Sequence, residues 1–377
     1  MNRVFQYLKG QPPGRLITLG FATVILLGTF LLLLPISVNP GMKVGVIDAL
    51  FTATSAVCVT GLIAIDTADH FTAFGRAVVA LLIQIGGLGV TSVGVGFILA
   101  AGKRVGFKGR LLVREALNVD SSKGVVRLIK AILLTTLFFE AVGAILSFIV
   151  FVQDYPPLKA MEISIFHSIA AFNNSGFDIL GGLQNLIPYQ SDVLLNFVTC
   201  GLIIFGGLGF LVILDVLKMR SFKKLCLHSK VVITTSGILL ITGTLLLKVT
   251  EDISWLGAFF QSVSARTAGF STYPIGEFAI DAFGRKPVYE DRGIRRRAIL
   301  ALGRADVGEL ESLIPREPGL TVIGGSSDHC IVDVEDCPRR LQVGDIVGFS
   351  LCYSHMLYAT ARSDMRIIFK NQSAQEE

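Results

Sequence analysis

Apolar positions are gathered into five long runs, 17–36, 77–101, 131–152, 193–214 and 231–247, and Glu140 is the one charged residue inside them. A bilayer core of about 30 Å takes about 20 apolar residues of helix. Only a helix satisfies its own backbone in lipid. The pattern therefore predicts five spanning helices, the last of them short. Between the runs lie three shorter stretches of one form, Phe51 to Leu62, Phe166 to Phe177 and Phe260 to Phe270. Each opens on Phe, continues through small or hydroxyl residues and closes on Gly followed by a large apolar residue. The runs after the first two also match, in Gly86-Gly87-Leu88-Gly89 and Gly206-Gly207-Leu208-Gly209. The order of span, half-helix, Gly turn and span thus repeats, twice in full and once in part.

The repeat has a chemical reading. About ten residues of helix cannot cross a bilayer, so the chain returns through non-helical backbone at membrane depth. Such backbone is tolerated where it lines a water-filled path, and carbonyls exposed there replace the hydration shell of a monovalent cation. Gly supplies the positive φ that aims successive carbonyls at one axis, and half-helix C-termini point partial negative charge at the same place. A plainer reading stays open, in which Gly61, Gly176 and Gly269 only end short helices and the paired Gly-Gly-Leu-Gly segments only allow close helix packing. Glu140 has two readings as well: a cap or partner within the bundle, or a group on the ion path.

Charge then sets orientation. Segment 103–130 carries eight Lys and Arg and segment 218–230 carries five, whereas 37–72 and 152–192 carry one Lys each, Lys43 and Lys159, and no Arg. The basic segments are expected in the cytoplasm, with the N-terminus, and the other two outside. Five spans leave the chain outside after residue 247. The whole chain is 52% hydrophobic and 17% charged, well under the usual charged share of about 25%. The average hides a division: about 29% of residues 281–377 are charged and about 12% of residues 1–280. A net charge of +5, scattered among apolar runs, gives no nucleic-acid footprint. Six cysteines without metal or disulfide spacing read as free thiols. The first run is too long for a signal-peptide core, which predicts an uncleaved first span. From residue 281 short apolar runs at 298–302, 320–323, 330–334, 346–351 and 367–369 alternate with Pro, Gly and Asp, the pattern of a small β domain.

The segments Thr54-Ser55-Ala56-Val57-Cys58-Val59-Thr60-Gly61-Leu62, Phe172-Asn173-Asn174-Ser175-Gly176-Phe177 and Arg266-Thr267-Ala268-Gly269-Phe270, with Arg110 to Asn118, resemble the ion-translocating subunit of the Trk/Ktr/HKT potassium transporters, closest to the bacterial Ktr type. The resemblance covers residues 1 to about 278. It implies an all-α multi-pass protein of the bacterial plasma membrane with re-entrant pore loops and two and a half repeats: repeat I at 1–104, repeat II at 125–220 and a partial repeat III at 229–278. It implies selection of K+ by backbone carbonyls of Val59, Thr60 and Gly61, of Asn174, Ser175 and Gly176, and of Thr267, Ala268 and Gly269. No catalytic residue and no cofactor follow; K+ is the transported ion. The implied partners are the lipid bilayer, a second copy in a homodimer and a cytoplasmic nucleotide-binding gating ring of the TrkA/KtrA kind. Family chains carry four repeats. No apolar run after residue 280 approaches 18 residues, so impaired transport is expected.

In the tail, Asp291 to Leu300, Gly303 to Val307, Gly325 to His329 and Val343 to Asp345 resemble the C-terminal β domain of alanine- and ornithine-type amino-acid racemases. That family's pyridoxal phosphate is held by a Lys of an α/β barrel, which does not precede this tail. His329 and Tyr353 are either racemase-type site residues or ordinary β-domain side chains. The cluster Arg295 to Arg297 is either a solvated strand edge or a phosphate or lipid contact. The two resemblances predict a junction near 275–281 between two unrelated genes, by genomic fusion or by assembly error. Two alternatives to transport therefore stand beside it, a non-conducting fusion chain and a racemase fragment without its barrel.

Overall fold

The computed structural model describes residues 13–90, 92–95, 125–275, 278 and 295–360. The chain falls into two compact units, Met1–Pro287 and Val288–Glu377. The expected junction and the Arg110 to Asn118 segment lie largely or wholly outside the described residues.

The first unit is helical. A first group comprises α1 (Pro13–Leu32), α2 (Val46–Cys58) and α3 (Ala73–Leu88); a second comprises α4 (Val125–Phe151), α5 (Pro157–Phe172) and α6 (Val193–Leu208), continued by α7 (Phe210–Met219). A third comprises α8 (Leu227–Thr250) and α9 (Trp255–Thr267). Local chemistry starts the elements where they start. Thr72 Oγ1 caps α3 by accepting from Gly75 N–H at 3.3 Å, and Asp192 Oδ1 caps α6 through Leu195 N–H at 2.6 Å. Ser254 Oγ does the same for α9 through Gly257 N–H at 3.0 Å. Pro157 opens α5, where its fixed φ suits the first helical position.

Packing repeats the sequence order. Within the first group α2 lies against α1 and α3; within the second, α5 lies against α4 and α6; α9 lies against α8. Between groups, α3 packs on α5 and α6 packs on α9, so each exit helix supports the next short helix. The core gathers around the short helices, with Ala53, Phe166, Ala170, Phe172 and Phe260 buried. The long helices turn apolar side chains outward instead: Leu26 and Phe30 on α1, Leu134 and Phe138 on α4, Ile238 and Ile241 on α8 are each more than half exposed. Uncovered apolar surface of this extent has lipid as its natural solvent.

Among the described residues α1, α4 and α8 are each long and apolar enough to cross a membrane. Two expected runs differ from single straight spans. Run 193–214 is broken at Gly209, whose φ of 86° interrupts the hydrogen-bond ladder, and α6 and α7 differ in direction by 97°. Run 77–101 begins as the 16-residue α3 and breaks at Gly89, with φ 79°. Residues 91 and 96–101 lie outside the described ones. The physical reason is shared: the last Gly of each Gly-Gly-Leu-Gly takes a positive φ with an extended ψ, 131° at Gly89 and 143° at Gly209, which an uninterrupted helix cannot contain.

The second unit holds an antiparallel sheet in the order β1–β4–β3, from β1 (Arg297–Leu300), β3 (Thr321–Gly325) and β4 (Cys330–Asp333), and a pair made of β2 (Ile314–Pro315) and β5 (Phe349–Ser350). Ala298 faces Val332 across β1 and β4, and Val322 faces Val332 across β3 and β4. Their shared face packs on Val307, Leu310, Leu313 and Leu320. Of the expected run 346–351 only Phe349 and Ser350 pair as strand. Tyr353 opens a helix, α10 (Tyr353–Thr360), that the strand pattern did not anticipate. Run 367–369 lies outside the described residues. None of the six cysteines is joined in a disulfide.

Candidate functional site

The C-terminal ends of α2 and α5 are built alike. At α2, Val59 N–H donates to Ala56 O at 3.3 Å and Thr60 N–H to Ser55 O at 3.0 Å. At α5, Asn174 N–H donates to Ala171 O at 3.1 Å and Ser175 N–H to Ala170 O at 2.8 Å. Each is a crossed pair of bonds that closes a helix through one left-handed residue. That residue is Val59 at φ 55° and Asn174 at φ 58°. Asn tolerates this region; a β-branched Val is strained in it. The third end differs. There α9 runs on through Thr267, and Ala268 N–H donates to Ser264 O at 2.9 Å.

The three segments converge one residue later. Gly61, Gly176 and Gly269 have φ of 72°, 72° and 71°. A Cβ on Gly61 would fall on the Ser175 carbonyl oxygen, and one on Gly176 would lie 2.5 Å from the Ala268 oxygen. One on Gly269 would meet Gly176 Cα at 3.6 Å. The Asn174-Ser175-Gly176 segment therefore sits between the other two, backbone against backbone. Hydroxyls hold the turns: Ser55 Oγ donates to Leu62 O at 2.7 Å, Ser175 Oγ to Ala170 O at 3.2 Å, and Ser264 Oγ to Phe270 O. In the amide orientation that satisfies its neighbours, Asn174 donates to Ala171 O and Ile203 O, each at 3.1 Å, and accepts from Thr267 Oγ1 at 3.3 Å.

The exit helices back these turns closely. A Cβ on Gly86 would fall on Val57 O, one on Gly206 on Phe172 O, and one on Gly87 on Asn173 Oδ1. The paired glycines thus do two jobs, close approach at the first positions and a helix break at the last. Sequence reading saw only the packing option.

Three polar residues outside the expected set tie the segments together. Asn173 Nδ2 donates to Gln84 Oε1 and Glu140 Oε1, both at 3.2 Å, joining α3, α4 and the end of α5. Glu140 therefore has a partner within the bundle, and its backbone carbonyl also accepts from Ser168 Oγ at 2.7 Å. Asn185 Nδ2 donates to Gly176 O at 3.3 Å, while its Oδ1 accepts from Leu186 N–H and Ser271 N–H at 2.9 and 3.0 Å. Arg76 and Glu162 form a two-pronged ion pair between α3 and α5, at 2.6 and 3.1 Å. Asn185 carried no periodic signal that could have singled it out.

Asp178 lies in the loop just after Gly176, with Oδ1 accepting from Leu180 N–H at 3.0 Å. Burial pushes its carboxyl up to about 6, the Leu180 bond opposing and the Asp66 charge adding to the rise. A raised carboxyl favours the fold at low pH, and that advantage is lost as pH rises through about 6. We expect the melting temperature of the purified protein to rise between pH 7 and pH 5, and Asp178→Asn to flatten that dependence. An unchanged slope in the variant would remove Asp178 as its source.

In the tail, His329 Nδ1 meets Ser326 Oγ at 2.8 Å in the turn between β3 and β4, and Tyr353 stands exposed at the start of α10. Among the described residues no group of three His, Cys, Asp or Glu is placed to hold a metal ion.

A family model described as TrkH, a cation transport protein, matches residues 20–234. The chain is 40% identical over 273 residues to the potassium/sodium uptake protein NtpJ of Enterococcus hirae, covering 70% of this chain and 60% of that protein. It is 38% identical over 288 residues to the Ktr system potassium uptake protein B of Bacillus subtilis, covering 73% and 63%. The fold is similar to that of the potassium transporter TrkH from Vibrio parahaemolyticus, with a TM-score of 0.50 at 20% identity over 70% of this chain and 53% of that one. The tail is similar to ornithine racemase of Acetoanaerobium sticklandii, 52% identical over 84 residues, which is 22% of this chain and 24% of the enzyme. The chain thus spans about three fifths of the length of these transporter relatives and about a quarter of the racemase. Fold, exposed apolar helices and matches together define a multi-pass plasma-membrane protein of the cation-transporter class. The chain belongs to the TrkH cation transport protein family.

Proposed function

We propose that residues 1–278 conduct a monovalent cation, K+ by preference, through a path lined by the carbonyls of Val59, Thr60 and Gly61, of Asn174, Ser175 and Gly176, and of Thr267, Ala268 and Gly269. The supporting observation is the meeting of three glycines of matching φ, each at the foot of a short helix and each against its neighbour's backbone. In this reading α2, α5 and α9 are re-entrant. Their C-terminal ends contribute partial negative charge toward the cation, and the carbonyls stand in for its hydration shell. The N-terminus and the basic segments 103–130 and 218–230 lie in the cytoplasm. The cation moves down its electrochemical gradient, with no cofactor. Relatives named for Ktr potassium uptake systems support docking on a cytoplasmic gating ring, and the family resemblance supports a homodimer.

A filter closed on four sides needs a fourth loop. The racemase-like residues 281–377 offer none, so conduction is proposed to be weaker than in a four-loop chain. The test is growth of a potassium-uptake-deficient bacterium at low K+. Growth with the chain, lost with Gly176→Ala, supports conduction. No growth from protein that is well inserted in the membrane favours the second reading, a non-conducting membrane protein.

A further inference from the structure

We propose that the tail carries a binding pocket for a phosphomonoester, formed by arginines of β1 and of the loop after β4. The pocket has a volume of about 420 Å³ and brings together Arg296, Arg297, Arg339 and Arg340. Nothing in the transport reading uses it, and the inference stands independently of that reading.

The arginines are not equivalent. Arg296 is held by Glu335 at 3.1 Å, and Arg339 lies 3.5 Å from Glu317 and 3.2 Å from Asp345. Arg295, just outside the pocket, is committed to Asp333 and Asp336. Arg297 and Arg340 have no acidic partner among the described residues. The nearby carboxylates are therefore already engaged, and two guanidinium groups are left without a direct ion-pair partner in one concavity. The backbone on the β1 side of the pocket is held in the sheet. Arg297 pairs in register with Asp333 across β1 and β4, Val334 N–H donates to Arg296 O at 3.0 Å, and Cys337 N–H donates to Val334 O at 3.3 Å.

Two neighbouring guanidiniums suit the oxygens of a phosphate, because each presents a planar fork of donors. Two guanidiniums without an ion-pair partner in one concavity favour an anion there. The volume equals that of roughly fourteen waters at about 30 Å³ each, more than a bare phosphate fills. Val334 and Leu341, which line the same pocket, supply an apolar wall for an organic body. A phosphomonoester has both parts. Such a group reaches a membrane protein either as a soluble metabolite or as the headgroup of a lipid.

The test uses the purified full chain in detergent and two probes, glycerol 3-phosphate by titration calorimetry and phosphatidylcholine vesicles doped with phosphatidic acid by co-flotation. Saturable binding of either probe is expected, weakened at least tenfold in Arg297→Gln/Arg340→Gln and unchanged in Arg316→Gln, a control in the same unit. Arg297→Lys/Arg340→Lys, which keeps the charge and loses the fork, is expected to fall between. Binding of the soluble probe identifies a metabolite, and binding of the vesicles alone identifies a lipid. Absence of both signals up to about 1 mM, the weak end of recognition, overturns the proposal. So does binding that the double Gln variant leaves intact while its melting temperature matches that of the parent.

Discussion

Under the proposed conduction path, Gly176→Ala is expected to cut rubidium flux per inserted molecule at least tenfold. Two costs coincide at this position. An L-residue at φ 72° pays about 1–2 kcal/mol in the left-handed region, and the new Cβ would lie 2.5 Å from the Ala268 carbonyl oxygen. That oxygen belongs to backbone on the neighbouring segment and has no rotamer to escape into, so Ala268 and Gly269 must move with it. Gly269→Ala separates the two costs. Its φ is 71°, but the nearest atom to its Cβ is Gly176 Cα at 3.6 Å, an ordinary contact. Its loss of flux is expected to be clearly smaller. A second measurement guards against weak conduction in the parent: K+ is expected to raise the melting temperature of the parent more than Na+ does, and Gly176→Ala is expected to lose that difference. Equal behaviour of the two variants would mean that backbone contact between the segments is not what shapes the site.

Gly206→Ala is expected to destabilise the first unit by about 3 kcal/mol or more, since overpacking against rigid neighbours costs about 1–3 kcal/mol and sometimes exceeds it. Its Cβ would fall on the Phe172 carbonyl oxygen at the end of α5. Gly237→Ala in α8 meets nothing within 4 Å. At that open position Ala improves helix propensity by about 1 kcal/mol, so the same chemical change is expected to be neutral or stabilising. Melting of both variants in detergent decides the matter. A similar melting temperature for the two would show that α6 can withdraw from α5 without cost.

The sequence made some features legible because they follow from local rules. The three glycines stood out because each closes a short small-residue stretch that opens on Phe, before a large apolar residue; the structure then gives them φ of 72°, 72° and 71°. The long helices stood out by apolar length. The breaks at Gly89 and Gly209 were hidden because Gly is common in membrane helices and apolar length alone does not report φ. Asn173, Asn185 and Arg76 were hidden for another reason. Their partners lie far off in sequence: Gln84 and Glu140 for Asn173, Ser271 for Asn185, and Glu162 for Arg76. In the tail, alternation located β1, β3 and β4, where one face is buried. It missed α10, whose Tyr353, Met356 and Tyr358 leave much of their surface exposed and show no clean stripe.

The contact of α3 with α5 and of α6 with α9 also bears on biogenesis. A chain threaded into the bilayer from its N-terminus delivers α3 before α5 and α6 before α9. Each later short helix finds a finished wall to dock on as it leaves the ribosome, so vectorial synthesis and the native neighbour relations run in the same direction.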